Sequence, residues 1–177
     1  MKISDKIFDG LLVLKYRSGN DKALSLLVKR HHSRLCKHAN WYIHDIQASK
    51  DIAQDCWGII INKITFLKNP NSFGAWAMKI VTRRSLDYLK KKKINRENQA
   101  DYHRYSMYDE NEQGSESELE ELHKAIRFLP ANQKIVLRLF YLEGYSIQEI
   151  SYILEISTGT VKSRLYHSRE KLKTILK

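Results

Sequence analysis

Apolar residues recur along this chain at intervals of three and four, the spacing that lines one face of an α-helix. Before residue 95 the pattern predicts four helices. The first is indicated by Ile7, Leu11 and Leu14, and the fourth begins after a turn at residues 68–71. Short connections between such helices are typical of a compact bundle. The pattern therefore predicts a helical N-terminal domain over residues 1–95.

The helical spacing returns near residue 118 and predicts a second, smaller domain over residues 118–177. Pro130 stands where a helix can start, and Gly144 stands where that helix can end. Between them, Ile135, Leu139 and Leu142 share one face. Runs typical of β-strands between turn residues do not occur in the sequence. The predicted fold class is therefore all-α, with two small helical domains.

The last part of the chain predicts a helix-turn-helix. Ser146 and Glu149 have the spacing of a capping box, and after a break at residues 155–157 Ser157 can cap a second helix. Hydroxyls, cations and an aromatic ring on the outer face of a helix suit the major groove of DNA. The residues that carry these groups are Thr158, Thr160, Lys162, Ser163, Arg164, Tyr166, His167 and Arg169. The alternative is a solvated helix in a small bundle.

The charge of the chain favours a polyanionic partner. The net charge is +11 and the isoelectric point is about 9.6, which fits nucleic acid or an anionic membrane face. From Asp101 to Glu121 the chain has eight acids and a single cation, Arg104; the resulting −7 leaves +18 on the remainder. We therefore predict an acidic linker over residues 96–117 between two basic domains, the alternative for most of its residues being a solvated spacer.

Other sequence features limit which further functions the chain can have. The two cysteines, Cys36 and Cys56, predict no disulfide framework and fit a reducing compartment. No apolar run approaches the roughly 20 residues of a membrane span, so we expect a cytoplasmic protein with no membrane partner. His31, His32, Cys36 and His38 lie close in sequence, but no second pair completes four metal ligands. Because no nucleotide-binding or hydrolase motif occurs either, we predict no metal, no cofactor and no enzymatic activity.

Two sets of motifs together resemble bacterial RNA polymerase sigma factors of the extracytoplasmic-function (ECF) subgroup. In the C-terminal half the resemblance is carried by LPANQ at residues 129–133, YLEGYS at 141–146 and GTVKSRL at 159–165. In the N-terminal half it is carried by DIAQDCW at 51–57, FGAW at 73–76 and DYL at 87–89, followed by lysines. The resemblance extends from about Leu11 to Leu172.

The resemblance implies a protein that binds core RNA polymerase, directs promoter-specific initiation at −35 and −10 elements, and helps to melt DNA. It assigns docking on the polymerase to Asp51, Gln54 and Asp55. It assigns −10 binding to Asn69, Asn71, Arg83, Arg84, Asp87, Tyr88 and Lys91. It assigns −35 binding to Ser157, Thr158, Gly159, Thr160, Lys162, Ser163, Arg164, Tyr166 and His167. It also implies an anti-sigma factor as a further candidate partner, a linker that enters the polymerase cleft, and a free protein that is monomeric.

The chain departs from the family pattern at three places. Thr82-Arg83 stands where the family often has Arg-Asn, and the loop at residues 68–72, which in relatives holds a flipped base, is short. Glu155 replaces the turn glycine, so we expect a strained turn there. Trp76 matches a buried tryptophan of the family and is predicted in the core, whereas Tyr88 can either pack or stack on a base.

Two other functions remain as alternatives to the sigma factor. A conventional helix-turn-helix regulator would bind duplex DNA alone, usually as a dimer, but the N-terminal half resembles neither a ligand-binding nor a receiver domain. A DNA-processing enzyme such as a recombinase would need a catalytic constellation, which the sequence lacks.

Overall fold

The computed structural model describes residues 3–97, 122 and 125–176, and every regular element within these ranges is helical. The predicted all-α class is confirmed. The chain divides into two compact units, Met1–Met107 and Tyr108–Lys177. The proposed domain limits at residues 95 and 118 stay predictions. The predicted acidic linker lies outside the described residues, except that the fourth helix reaches Glu97.

Residues 3–97, the described part of the first unit, form a bundle of four α-helices. They are α1 (Ile3–Arg17), α2 (Asp21–Ile43), α3 (Ile46–Lys63) and α4 (Phe73–Glu97). Short 3₁₀ turns at Ile64–Phe66 and Pro70–Ser72 connect α3 to α4. Helix α2 packs against the other three helices. The largest fully buried apolar side chains of this core are Val13, Leu27, Leu35, Ile60, Ile64, Phe73 and Met78. Burying each contributes about 1.5–3 kcal/mol before the entropic cost of folding.

Helix α1 exists as predicted, but its buried face is not the predicted one. Ile7, Leu11 and Leu14 are 50%, 52% and 50% exposed, while Leu12, Val13 and the carboxylate of Asp9 are buried. Asp9 can occupy the interior because hydrogen bonds from α2 satisfy it. Because the inner face of α1 carries the polar Asp9, the hydrophobic pattern indicated the wrong buried face.

The second unit contains α5 (Ala131–Leu137), a π-helical turn (Arg138–Leu142), α6 (Ile147–Leu154) and α7 (Thr158–Ile175). Ile135 and Leu139 are buried as predicted, but Leu142 is 80% exposed. The reason is the π-helical turn, in which the amide of Glu143 donates to the carbonyl of Arg138, five residues earlier. This wider turn rotates Leu142 off the face that Ile135 and Leu139 share.

The helix-turn-helix has the predicted caps. In the capping box, the amide of Ser146 donates to Oε2 of Glu149 over 2.9 Å, and the amide of Glu149 donates to Oγ of Ser146 over 3.2 Å. Glu155 ends α6 in the left-handed conformation, with φ 56° and ψ 41°. The expected strained turn is therefore confirmed. Ile150, Ile153, Val161 and Leu165 close the core between α6 and α7.

Candidate nucleic-acid interface

Helix α7 presents a polar face to solvent, while its inner face is held by Val161, Leu165 and Ser168. The residues predicted to bind the −35 element all lie at the start of α7 or on its first three turns. Thr158, Gly159, Lys162, Ser163, Tyr166 and His167 are exposed, and Thr160 and Arg164 are partly buried. The exposed groups include one cation, hydroxyls and two rings, and Tyr166 is 60% exposed. This surface can donate hydrogen bonds to base edges and phosphates.

The start of α7 is capped by Ser157, another predicted DNA-binding residue. Its Oγ accepts a hydrogen bond from the amide of Thr160 over 3.0 Å, and it lies 2.9 Å from Oγ1 of Thr160. The side chain of Ser157 therefore serves the helix itself. The backbone amides at a helix start and the positive end of the helix dipole favour a bound phosphate.

Arg169, which the sequence places on the outer face of α7, is held by another part of the same unit. Its Nε donates to the hydroxyl of Tyr141 over 2.9 Å, and its guanidinium lies 5.7 Å from the centre of that ring. These contacts tie α7 to the π-helical turn. Arg169 therefore supports the orientation of α7 and is less suited to reach a base.

Helix α4 carries a second cationic surface. Arg83, Arg84, Asp87 and Lys91 are exposed, and Tyr88 is partly buried. Nζ of Lys92 lies 5.9 Å from the centre of the Tyr88 ring. Positions 83 and 91 are about 12 Å apart along the helix axis. Such a stripe of cations beside a tyrosine can follow a phosphate backbone and accept an unstacked base.

The two predicted −10 residues in the loop lie at the other end of α4. Asn69 Oδ1 accepts the amide of Asn71 over 3.0 Å, and the Asn69 carbonyl accepts the amide of Ser72 over 3.0 Å. Both asparagines are exposed. About 15 Å of helix separates this loop from Arg83. The predicted −10 residues therefore form two separate groups, a loop site before α4 and a cationic stripe along α4.

The structure explains one departure from the family pattern. Thr82 is buried, its Oγ1 donates to the carbonyl of Met78 over 2.8 Å, and it lies 2.9 Å from Nε2 of His38. Thr82 therefore faces α2, while Arg83 faces solvent.

Trp76, predicted in the core, is only partly buried. Its ring lies 6.1 Å from that of the buried Phe73, which in turn stacks on the buried Trp57.

Helix α3 brings together the residues predicted to dock on the polymerase. Asp51, Gln54 and Asp55 are exposed within one helical turn, and Asp51 accepts a hydrogen bond from Gln47 over 3.0 Å. Cys56, on the opposite face, is buried, and this burial raises the pKa of its thiol to about 12. The outer turn exposes two carboxylates and an amide, groups that can pair with arginines.

His31, His38 and the pair of His32 with Cys36 contact different residues. His31 contacts Asp9, and His38 contacts Thr82. His32 accepts from the indole of Trp57 over 3.2 Å and lies 3.5 Å from Sγ of Cys36. Within the described residues, no group of three or more histidine, cysteine or acidic residues could hold a metal ion. No helix in the described ranges has both the length and the apolarity of a membrane span.

Two residues that the sequence analysis missed support the loop before α4. Arg17 donates to the carbonyls of Ile64 and Leu67, and Gly10 lies against Asn71. These contacts join residues at least 47 positions apart, so no local spacing could have indicated them. The only available signal was a cation at the end of the first predicted helix.

Comparison with protein families accounts for most of the chain. Residues 27–94 match the family described as sigma-70 region 2, and residues 119–172 match the family described as sigma-70, region 4. The first match covers most of α2, all of α3 and most of α4, and the second covers α5, α6 and most of α7.

Individual relatives agree with these matches. The RNA polymerase sigma factor SigV of Bacillus subtilis (strain 168) is 29% identical over 133 residues, which cover 72% of this chain and 75% of that protein. The ECF RNA polymerase sigma-E factor of Haemophilus influenzae is 27% identical, with 96% of each chain covered. Among solved structures, the sigma factor RpoE from Bartonella quintana, in complex with the anti-sigma factor NepR, has a TM-score of 0.71 at 20% identity. The match covers 88% of this chain and 97% of RpoE.

Proposed function

Because this chain belongs to the sigma-70 family of RNA polymerase sigma factors, in its ECF subgroup, we propose which exposed residues bind each promoter element and which bind core polymerase. As a sigma factor it binds core polymerase and directs promoter-specific initiation. The observation that carries the proposal is the presence of a region 2 match and a region 4 match, in this order, in one chain.

The exposed face of α7 binds the −35 element in the major groove. Lys162, Tyr166 and His167 are long enough to reach base edges, and Lys162 suits the acceptors of guanine. The start of α7, with Ser157 to Thr160, approaches the phosphate backbone, and Arg164 adds a phosphate contact. The geometry that supports this division is that Lys162, Tyr166 and His167 are exposed, whereas Thr160 and Arg164, which are assigned to the backbone, are partly buried.

The N-terminal unit binds the −10 element and helps to open it. Arg83, Arg84 and Lys91 neutralise phosphates along α4, and the loop with Asn69 and Asn71 receives a base that leaves the stack. Binding of this kind favours separated strands because the base site accepts only a base that has left the stack, while the cations hold the phosphates of the same strand. The exposure of all five side chains supports this role.

The outer turn of α3 docks on core polymerase through Asp51, Gln54 and Asp55. The chemistry of RNA synthesis then belongs to the polymerase, and the protein acts as a non-enzymatic specificity subunit. We infer that it works in the cytoplasm as a monomer before it joins the polymerase. An anti-sigma factor is a candidate inhibitor, because the solved relative RpoE is bound to one.

Reconstituted transcription tests this function. Core RNA polymerase is mixed with the protein and a library of promoter templates, and the transcripts are sequenced. A sigma factor yields start sites that core alone does not produce. If the protein shifts DNA in gels without transcripts, it is a conventional regulator, and if it cleaves or joins DNA, it is an enzyme; either result would contradict the proposal.

Association with core polymerase tests the docking surface separately. The variant D51N/D55N should bind core polymerase at least about tenfold more weakly, because two charges that face the partner are removed. The matched control is D21N, which removes an exposed carboxylate from the first turn of α2. Equal affinity of D51N/D55N and D21N for core polymerase would show that the docking surface lies elsewhere.

A further inference from the structure

We propose that helix α1 positions the −10 loop, residues 67–72, so that Arg17 and Gly10 set its base preference without touching DNA. The inference rests on the proposed role of Asn69 and Asn71 in that loop. It adds two positioning residues from a helix that precedes the region 2 match, which begins at residue 27.

Arg17 holds the beginning of the loop. Its Nη2 donates to the carbonyl of Ile64 over 2.8 Å and to the carbonyl of Leu67 over 2.5 Å, and its Nε donates to the carbonyl of Ile64 over 3.2 Å. These carbonyls lie at the end of α3 and of the 3₁₀ turn that follows it, where side-chain donors commonly bond the last carbonyls of a helix. The carbonyl of Ile64 also accepts the amide of Leu67 over 3.3 Å. A guanidinium is suited to this place because it donates from a planar fork and complements the negative end of the helix dipole.

Gly10 holds the end of the loop. A Cβ atom at Gly10 would overlap Oδ1 of Asn71 and would lie 3.2 Å from the backbone nitrogen of that residue. The absence of a side chain therefore lets Asn71 lie directly against α1. Asn71 in turn has its amide bonded to Oδ1 of Asn69 over 3.0 Å. The position of α1 therefore fixes Asn71 directly and Asn69 through Asn71.

Helix α1 can serve as a fixed support because it is itself anchored to α2. Asp9, the neighbour of Gly10, is fully buried and accepts hydrogen bonds from Arg30 and His31, each over 2.8 Å. The loop is therefore held at two points by one anchored helix. A short loop with both ends held keeps its asparagines ready for a base and loses less conformational freedom on binding.

The test compares R17Q with K15Q in reconstituted transcription. Both variants remove one cation from the last turn of α1, but Lys15 is exposed, whereas Arg17 is the residue that donates to the carbonyls of Ile64 and Leu67. Core polymerase and each variant transcribe promoters randomised in either the −10 or the −35 window, and the base preferences are read by sequencing. R17Q should reduce the preference for the favoured −10 base by about fivefold or more, the discrimination that one base contact provides. Preferences in the −35 window should stay unchanged, and K15Q should behave as the unmodified protein.

Two further variants separate positioning from general destabilisation. R17K keeps the positive charge but loses the planar guanidinium that donates to two carbonyls. Its −10 preference should therefore lie between those of R17Q and the unmodified protein. G10A should weaken the −10 preference by displacing Asn71, and adding G10A to N71A should cause little further change. Unchanged −10 preference in R17Q and G10A overturns the proposal, as does an equal loss in both windows with a lowered melting temperature.

The same experiment distinguishes failure of this inference from failure of the proposed function. If the unmodified protein shows no base preference in the −10 window, the role of the loop itself is wrong. If the unmodified protein shows this preference and R17Q shows it equally, only the role of α1 is wrong.

Discussion

The carboxylate of Asp9 accepts a hydrogen bond from Nε2 of His31 over 2.8 Å, with the two residues 0% and 4% exposed. Nε of Arg30 donates to the other carboxylate oxygen, also over 2.8 Å. Burial by itself raises the pKa of Asp9, but the hydrogen bonds and charges of His31 and Arg30 outweigh it, so the pKa lies below the ordinary 3.8. Asp9 therefore links α1 to α2 as a carboxylate.

This arrangement predicts a pH dependence of stability. Because the folded-state pKa lies below that of the unfolded chain, the contribution of Asp9 is fully present above pH 3.8 and is lost as the pH falls through the folded-state value. D9N should lower the free energy of unfolding at neutral pH by about 3 kcal/mol, since it breaks a buried ion pair. The difference between D9N and the unmodified protein should shrink below about pH 4, as measured by urea unfolding with tryptophan fluorescence.

The matched control for D9N is D5N. Asp5 lies on the same helix and also faces Arg30, but at 3.5 Å and with 43% of its side chain exposed. D5N should therefore change the free energy of unfolding by less than about 1 kcal/mol. If the difference in free energy of unfolding between D9N and the unmodified protein stays constant across the acidic range, the charge of Asp9 is not the cause of that difference.

Lys162 provides a test of base reading by α7. Its replacement by alanine should cost about 1–3 kcal/mol of binding at the preferred −35 sequence if the lysine contacts a base. The control is K171A, because Lys171 is also exposed but lies nine residues further on, on the opposite face of α7. Binding of polymerase holoenzyme to promoters with substituted −35 bases measures the effect. Equal weakening on every sequence would show that Lys162 contacts only phosphate.

A substitution at Gly159 tests whether glycine is needed there for folding or for DNA binding. A Cβ atom there would meet only Oγ of Ser157, at an ordinary 3.6 Å, so the fold itself does not require glycine. G159A should raise the free energy of unfolding by up to about 1 kcal/mol because alanine favours the helix. It should nevertheless weaken −35 binding, since a methyl group would meet the phosphate backbone at the helix start. Thermal unfolding and holoenzyme binding give the two values; unchanged binding would show that no phosphate comes close to Gly159.

Glu155 allows a gain in stability to be predicted. It adopts φ 56° at the turn of the helix-turn-helix, a conformation that costs an L-residue about 1–2 kcal/mol. E155G should raise the free energy of unfolding by about 0.5–1 kcal/mol, because relief of this strain exceeds the added entropy of the unfolded chain. E155A is the control and should give no gain, as alanine keeps the Cβ atom. A lower melting temperature for E155G would show that the glutamate side chain stabilises the turn by more than the strain costs.

Residues that act through short-range geometry were predictable from the sequence. The capping box of Ser146 and Glu149 and the cap at Ser157 depend on spacings of three residues, and the structure contains both. Side chains on the outer turns of α3 and α7 were predictable for the same reason. The orientation of α1 was not, because a buried carboxylate is compatible with the core only when distant donors satisfy it.

The sequence by itself determined the helices, the order of a region 2 and a region 4 module, and the basic outer faces, since these follow from local spacing, motif and charge. Only the tertiary structure decided which face of α1 is buried, that Thr82 turns toward His38, and that Arg17 and Gly10 hold the loop before α4. The physical reason is that a buried polar group is stable only beside its partner. The residues in these contacts lie 21 to 61 positions apart and come within reach only when the helices pack.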